Sequence, residues 1–300
     1  MSNSISILIP CYNASQYLPE LFEGIQAQTI PFHEVICYDD NSTDNTIEVA
    51  QSLGAKVIVG KENRGPAYAR NRLLEASTAN WIHFHDADDL IDNRFVEIGQ
   101  SYFLDGNSQF LCNTYVFDRN DRSINMGNIT YDDLNNSQDQ IEYFLDNVGF
   151  ASMGLYSKKA LLKIGGFRQD IKGNEDPDLH VRLVNAGFKI KCIPEYLVTK
   201  LEHPTSFSHQ NWMRCLEDKL LCYATYLSLL DKKHLQTIGK HLALAGAYFY
   251  THNNVIAGKK ALRLAKQTGV HTIETSKFSY FFTRIFGLQL YYLLLRLRNK

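Results

Sequence analysis

Over the first third of the chain, short apolar runs rich in Ile and Val alternate with segments whose apolar residues recur every three or four positions. Runs of the first kind mark strands, and the longer spacing marks helices buried along one face. On that basis residues 4–9, 34–38, 56–59 and 81–84 read as strands, with helices at 16–28, 44–53 and 66–76 between them. Ser42 and Thr43 are suitable caps for the second helix, and Pro66 suits the first position of the third. Such alternation predicts an α/β fold with a mostly parallel central sheet flanked by helices. In sheets of this kind ligands collect outside the carboxyl ends of the strands. Pro10 to Asn13, Asp39 and Asp40, and Asp86 to Asp89 all fall there.

The pattern weakens between 120 and 150, where DDLNNSQDQ is strongly polar. That segment reads either as a loop facing a second substrate or as an irregular connection. Regularity returns with a strand at 153–156, a helix at 158–164, the Gly165-Gly166 break, and a helix over 177–186 that Gly187 stops. From Asn211 onward helical spacing takes over, at 212–230, 234–251, 255–268 and 278–297. The change of character places a boundary near Ser208, giving a 1–208 α/β domain and a 209–300 C-terminal helical extension. The final stretch, FFTRIFGLQLYYLLLRLRNK, is interrupted by Arg284. It falls short of the roughly 20 apolar residues that span a bilayer. It reads as a helix packed on its neighbours or on a second copy in a homo-oligomer, or as one lying in a membrane interface with its arginines toward headgroups.

Composition narrows the class. The 300 residues, 45% of them hydrophobic, can bury a substantial core. With 31 basic against 32 acidic residues the net charge is −1, which gives no reason to expect a nucleic-acid partner. MSNSISILIPCYN has neither the charged start nor the apolar core of a secretory signal. The six cysteines are scattered singly and form no CxxC pair, so reduced core thiols in the cytoplasm are expected.

The acidic clusters carry the chemistry. Asp86 and Asp88 are two residues apart, and in extended backbone such positions face the same way. Both carboxylates then address one divalent cation, which completes its shell with water and substrate phosphates. Asp89 extends the cluster toward metal or ribose; the competing reading of the whole is a polar turn before the next helix. In YDDNSTD a carboxylate offers an acceptor to a base imide or ribose hydroxyl, or it only forms a turn and a cap. Tyr12 flanks a base or packs. Arg64 and Arg70 surround a helix start, where arginine and the helix N-terminus both favour phosphate; a solvated helix face is the alternative for Arg64. Glu175 and Asp176 precede Pro177 and an amphipathic helix, as a general base or as acids at a helix start.

Six segments in order, ISILIPCYNASQYLPELFEGIQAQT, VICYDDNSTDNT, NRGPAYARN, WIHFHDADD, GGF and GNEDPDLHVRLVNAGF, resemble glycosyltransferase family 2 over about residues 4–208. The resemblance implies the GT-A nucleotide-diphospho-sugar transferase fold. It implies a nucleotide-sugar site built from Pro10, Tyr12, Asn13, Asp39, Asp40 and Arg70, with Asp86 and Glu175 adjoining. It further implies that Asp88, Asp86 and His203 hold Mn2+ or Mg2+, and that Asp176 is the catalytic base. The activity so implied is inverting, metal-dependent transfer of a sugar, with a UDP-sugar donor favoured, to a hydroxyl of a glycan or glycolipid acceptor. Bacterial surface polysaccharide or lipooligosaccharide synthesis, by a cytoplasmic enzyme peripheral at the inner face of the membrane, is the implied setting. The chain departs from the family at Arg72 and Leu73, where a glycine is common. It departs again at Lys200, Leu201 and Glu202, which lack the aromatic–arginine pair often found before the histidine.

Rival classes fare worse. A nucleotidyltransferase calls for a Gly-rich basic loop after the first strand, and PCYNASQY is not one; a dinucleotide-dependent dehydrogenase calls for GxGxxG there. A degenerate binding subunit is opposed by the intact Asp86, Asp88 and Asp176.

Overall fold

In a computed structural model, which describes residues 4–103, 108–204, 206 and 210–271, the N-terminal apolar runs form β1 (Ile5–Cys11), β2 (Glu34–Asp39), β3 (Lys56–Val59) and β4 (Trp81–Phe84). They pair in parallel, with β1 between β2 and β4 and β3 outside β2. Ile7, Leu8 and Ile9 of β1 are all fully buried, as in a strand covered on both faces. Between the strands run α1 (Leu18–Gln26), α2 (Thr46–Ser52) and α3 (Pro66–Ala76). Leu18, Leu21, Phe22 and Ile25 fall on one buried face of α1, as their spacing requires.

The second half of the sheet adds antiparallel pairings to the parallel set. After β5 (Leu90–Ile91) and α4 (Phe95–Ser101) come β6 (Ser108–Asp118), β7 (Asn125–Ile129), α5 (Gln140–Asp146), β8 (Gly154–Ser157), α6 (Lys158–Lys163), α7 (Glu175–Asn185) and β9 (Lys189–Glu202). Among the described residues the strand order is β3-β2-β1-β4-β8-β6-β9-β5, with β7 also on β6. β8 runs antiparallel to both β4 and β6, and so joins the parallel set to a mixed set. β6 and β9 are parallel and register Asp118 against Glu202 at their ends. Their pairing shifts beside Cys112 and Asn113, where Pro194 sits in β9; a proline cannot donate to a ladder and belongs at such an irregularity. The 120–150 segment is more ordered than its polarity suggested. It holds β7, a 3₁₀ turn at Asp132–Asn136, and α5, whose first turn is capped by the Asp139 carboxylate.

The chain divides into two compact units, Met1–Gln210 and Asn211–Lys300. The second contains α8 (Trp212–Leu229), α9 (Leu235–Thr251) and α10 (Val255–Gln267). The helix expected over 278–297 lies outside the described residues. Among those described, no helix is long and apolar enough to cross a membrane.

Candidate active site

The carboxyl ends of β1 and β2 are clasped together by short polar side chains. Asn13 accepts the Thr43 N–H at 2.8 Å through Oδ1 and donates its own N–H to Ser42 Oγ at 2.9 Å. Its φ of 50° is one that asparagine tolerates. Ser42 and Thr43 are therefore engaged with β1 and do not cap a helix; α2 starts later, at Thr46, with Asn45 before it. Asp44 completes the clasp by accepting the Ser15 and Thr46 N–H groups, each at 3.1 Å.

Asp39 and Asp40 are both buried. Asp40 accepts the Arg64 N–H at 3.0 Å and the Gly65 N–H at 2.6 Å, which fixes the turn into α3. Gly65 makes that turn at φ 87°, a conformation natural to glycine. Asp39 takes the Ser42 N–H on Oδ2 at 3.0 Å, while its Oδ1 is buried with no hydrogen-bond partner among the described residues. Tyr12 stands above these ends, 52% exposed, and Pro10 is half-buried beneath it in sequence.

One helical turn into α3 lies Arg70, only 4% exposed. One terminal nitrogen donates to Glu175 and Asp176, each at 3.0 Å, and the other donates to Asp86 at 2.8 Å. This arginine therefore joins the acidic turn after β4 to the acid pair opening α7. The helix carrying that pair starts two residues before the expected 177, so Glu175 and Asp176 occupy its first turn. Burial, reinforced by the neighbouring Asp176 charge, pushes Glu175 up to about 7. Burial also raises Asp176, against the pull of Arg70. Asp86 goes the other way: burial favours its neutral form, but the Arg70 guanidinium outweighs this and holds it below the usual carboxylate range. Asp176 is held at both ends, its Oδ2 accepting the Ala151 N–H at 3.0 Å and its main-chain carbonyl lying 2.7 Å from His180 Nδ1. His180 is pushed down to about 4 by burial, so it is neutral and donates to that carbonyl while Tyr156 donates to its other nitrogen. Neither Tyr156 nor His180 was singled out by the sequence, although His180 stands one helical turn after Asp176.

Asp86 to Asp89 form a turn closed by the Asp89 N–H on the Asp86 carbonyl at 3.1 Å. This corrects the extended arrangement expected of the two acids: Asp86 faces Arg70, whereas Asp88 faces His203, Oδ2 to Nε2, at 2.9 Å. Asp89 is enclosed in the turn. It is 3% exposed, accepts the Leu201 N–H at 2.9 Å, and burial holds its carboxyl well above the usual range. That bond ties the acidic turn to the end of β9, and so brings His203 to Asp88. Arg119, at the end of β6, donates to the Asp88 carbonyl and lies 4.5 Å over the Tyr17 ring. Tyr17 in turn neighbours His203, ring centroids 5.8 Å apart. The sequence reading missed Arg119 and Tyr17 because β6 was not recognised as a strand aimed at this edge.

Among the described residues no group of three or more His, Cys, Asp or Glu side chains is gathered as a metal site; Asp88 and His203 form a pair. The 2.9 Å between Asp88 Oδ2 and His203 Nε2 is a direct hydrogen-bond distance. Asp86 and Asp88 keep side-chain exposures of 32% and 34%.

The mixed sheet flanked by helices, with its acidic turn after β4, has the GT-A class of fold. The family model for glycosyl transferase family 2 matches residues 6–165, and the chain belongs to that family. An uncharacterized glycosyltransferase of Haemophilus influenzae is 34% identical over 118 residues, 38% of this chain and 47% of that protein. The putative glycosyltransferase EpsE of Bacillus subtilis is 25% identical over 235 residues, 73% of this chain and 80% of the relative. Several matches are partial: the chain spans 47% of the Haemophilus protein and 27% of Escherichia coli YibD. Among solved structures, S. aureus TarS 1–349 in complex with UDP-GlcNAc superposes with a TM-score of 0.70 at 17% identity, covering 98% of this chain and 90% of that one. The mannosyltransferase PcManGT of Pyrobaculum calidifontis, in complex with GDP-Man and Mn2+, gives 0.58 at 18% identity, covering 98% and 86%.

Proposed function

We propose that this chain transfers a sugar, with inversion, from a UDP-sugar to a hydroxyl of a glycan or glycolipid, in bacterial surface polysaccharide or lipooligosaccharide synthesis at the cytoplasmic side of the membrane. One observation carries the reading: Arg70 holds Asp176 and Asp86 on a single buried guanidinium. The acid that takes the acceptor proton and the acid beside the diphosphate then belong to one rigid network. The TarS complex with UDP-GlcNAc supports a uridine donor, and the PcManGT complex with Mn2+ supports a divalent cation.

In this mechanism Asp39, whose Oδ1 is buried without a partner, supplies an acceptor for the base, and Tyr12 covers the ring. Asp176, kept above the usual carboxylate range by burial, is a stronger base than a solvated aspartate. It removes the acceptor hydroxyl proton as that oxygen bonds to the anomeric carbon. The bond from that carbon to the diphosphate oxygen breaks on the opposite face, and its electron pair leaves with the nucleoside diphosphate. Asp88, His203 and Asp86 are the residues that would hold Mn2+ or Mg2+, which when bound stabilises the charge on the departing diphosphate.

Calorimetric titration with UDP and GDP, each with and without Mn2+, tests the donor class, and UDP-sugar turnover by Asp176→Asn tests the base. Mn2+-dependent UDP binding retained by a variant that no longer transfers is the expected result. Transfer by Asp176→Asn at the wild-type rate removes that residue from the role.

A further inference from the structure

The near-zero net charge conceals a division between the two units. Residues 1–210 carry 17 Lys and Arg against 28 Asp and Glu, net −11, whereas residues 211–300 carry 14 against 4, net +10. Between Lys232 and Ile273 there is no Asp or Glu at all. Like charges gathered on one small unit repel and weaken it, so their retention points to an anionic partner.

The same unit leaves large apolar side chains in water. Along α9, Lys240, Leu244, Tyr248 and His252 recur every fourth position on the exposed face. Leu244 is 44% exposed and Tyr248 42%. Trp212, at the start of α8 and 41% exposed, packs edge-on against Tyr248 and His252 with ring centroids 5.2 and 5.0 Å away. Ile256, in the first turn of α10, is 86% exposed, and the exposed Lys259 and Lys260 follow one turn later. The two acids at this end are engaged: Glu217 accepts a hydrogen bond from Asn254 at 2.7 Å, and Asp218 is buried against Arg214 at 3.2 Å.

We propose that this end of the helical unit docks on a bilayer containing anionic lipid. Trp212, Leu244, Tyr248 and Ile256 enter the acyl boundary, and Lys259 and Lys260 meet the headgroups. A soluble anionic polymer would satisfy the lysines and leave Leu244 and Ile256 in water. An apolar protein partner would cover those residues and leave the charge unbalanced. An anionic bilayer meets both, because rings with polar edges, bare aliphatic chains and lysines are the composition of an interfacial anchor. The inference rests on the second unit alone, not on the donor chemistry proposed above.

The test uses the full chain in a Trp81→Phe background, which leaves Trp212 as the sole tryptophan. Vesicles of phosphatidylglycerol and phosphatidylcholine, and of phosphatidylcholine alone, are titrated at low and high salt, with Trp212 emission and co-sedimentation as readouts. A blue shift and co-sedimentation confined to the anionic vesicles are expected, both weakened by salt. Lys259→Gln with Lys260→Gln should lower vesicle affinity by about 25-fold at low salt. Ile256→Ser should remove most of the blue shift. UDP titration of the same variants separates loss of docking from loss of fold, and a wild type that ignores UDP while binding vesicles refutes the donor reading alone. Undiminished binding by both variants, unshifted Trp212 emission, or equal binding to neutral vesicles overturns the proposal. So does equally tight binding of inorganic polyphosphate, or salt-sensitive self-association without lipid, which would assign the face to a second copy.

Discussion

Replacing Arg70 by methionine asks what the buried guanidinium contributes. Its side chain is 5% exposed and makes three contacts of 2.8 to 3.0 Å to Asp86, Glu175 and Asp176. Methionine fills comparable volume beside Phe167, so the loss is chiefly one of charge. Glu175 and Asp176, with side chains 10% and 13% exposed, are left as adjacent carboxylates without a cation. Breaking a buried ion pair from one side costs about 3–5 kcal/mol. For a unit of this size that lowers Tm by about 10 °C.

The loss must depend on pH. Glu175 already lies at about 7 because of burial and the Asp176 charge, and removing Arg70 drives both acids higher. A carboxyl raised above its unfolded value contributes stability at acid pH that disappears as pH rises through the raised value. The variant should therefore trail the wild type by about 3–5 kcal/mol at pH 8, and by about 1–2 kcal/mol at pH 5, where the acids take up protons in place of the guanidinium. Urea unfolding followed by fluorescence in a Trp212→Phe background reads Trp81, which stacks on Phe103 in the first unit. A deficit equal at both pH values would mean that packing, not charge, was lost. A deficit under about 1 kcal/mol at pH 8 would refute the network itself.

Three further outcomes follow from single contacts. Glu34 accepts bonds from Ser6, Ser77 and the Thr78 N–H, which outweigh its burial and pull its pKa down to about 2. The resulting stability is present above about 4.5 and lost as pH falls toward 2, so Glu34→Gln should cost about 2 kcal/mol at pH 7, discounted for partial exposure, and nothing near pH 2, as read by chemical denaturation. Gly166→Ala should cost about 3 kcal/mol, since φ is +68° and the added Cβ meets Asn71 Oδ1 at 2.3 Å. Gly165→Ala, at φ +77° with nothing near, should cost only about 1 kcal/mol, and equal Tm losses for the two would discount the Asn71 contact. Asp88→Ala should raise the Mn2+ concentration needed for UDP binding by about tenfold or more, and an unchanged requirement would detach Asp88 from the metal.

What the sequence revealed depended on whether the relevant pattern was local. β1 to β4 and their helices were readable because a strand buried on both faces is a continuous apolar run, and α1 repeats Leu18, Leu21, Phe22 and Ile25 at helical spacing. β9 was not, because KIKCIPEYLVTKLE mixes outward lysines, a proline at a register shift and half-buried positions. Without β6 and β9 the antiparallel turn of the sheet through β8 was invisible, and with it the route that delivers Arg119 and His203 to Asp88. Residue types at the strand ends did not reveal what each side chain touches there. Asn13 and Asp40 each hold a neighbouring loop by accepting main-chain N–H groups.

Arg70 shows why this matters for mechanism. As one residue in NRGPAYARN it reads as a phosphate ligand near a helix start, and nothing local connects it with residues about a hundred positions later. Only the packing of α3 beside both acidic turns reveals that its charge is already taken by three carboxylates. The consequence is that Asp86, Glu175 and Asp176 do not titrate as separate groups. Protonating Glu175 relieves repulsion on Asp176 and frees part of the guanidinium for Asp86, so each pKa depends on the occupancy of the others. If Asp86 and Asp88 hold a divalent cation as proposed, Asp86 would be drawn from Arg70, more of the guanidinium charge would fall to Asp176, and the pKa of Asp176 would be lowered. The acid limb of the pH profile for transfer should then move to lower pH as Mn2+ is raised to saturation. A limb that stays fixed across the Mn2+ series would mean that the base and the cation site are electrostatically independent, and that the shared arginine only braces the fold.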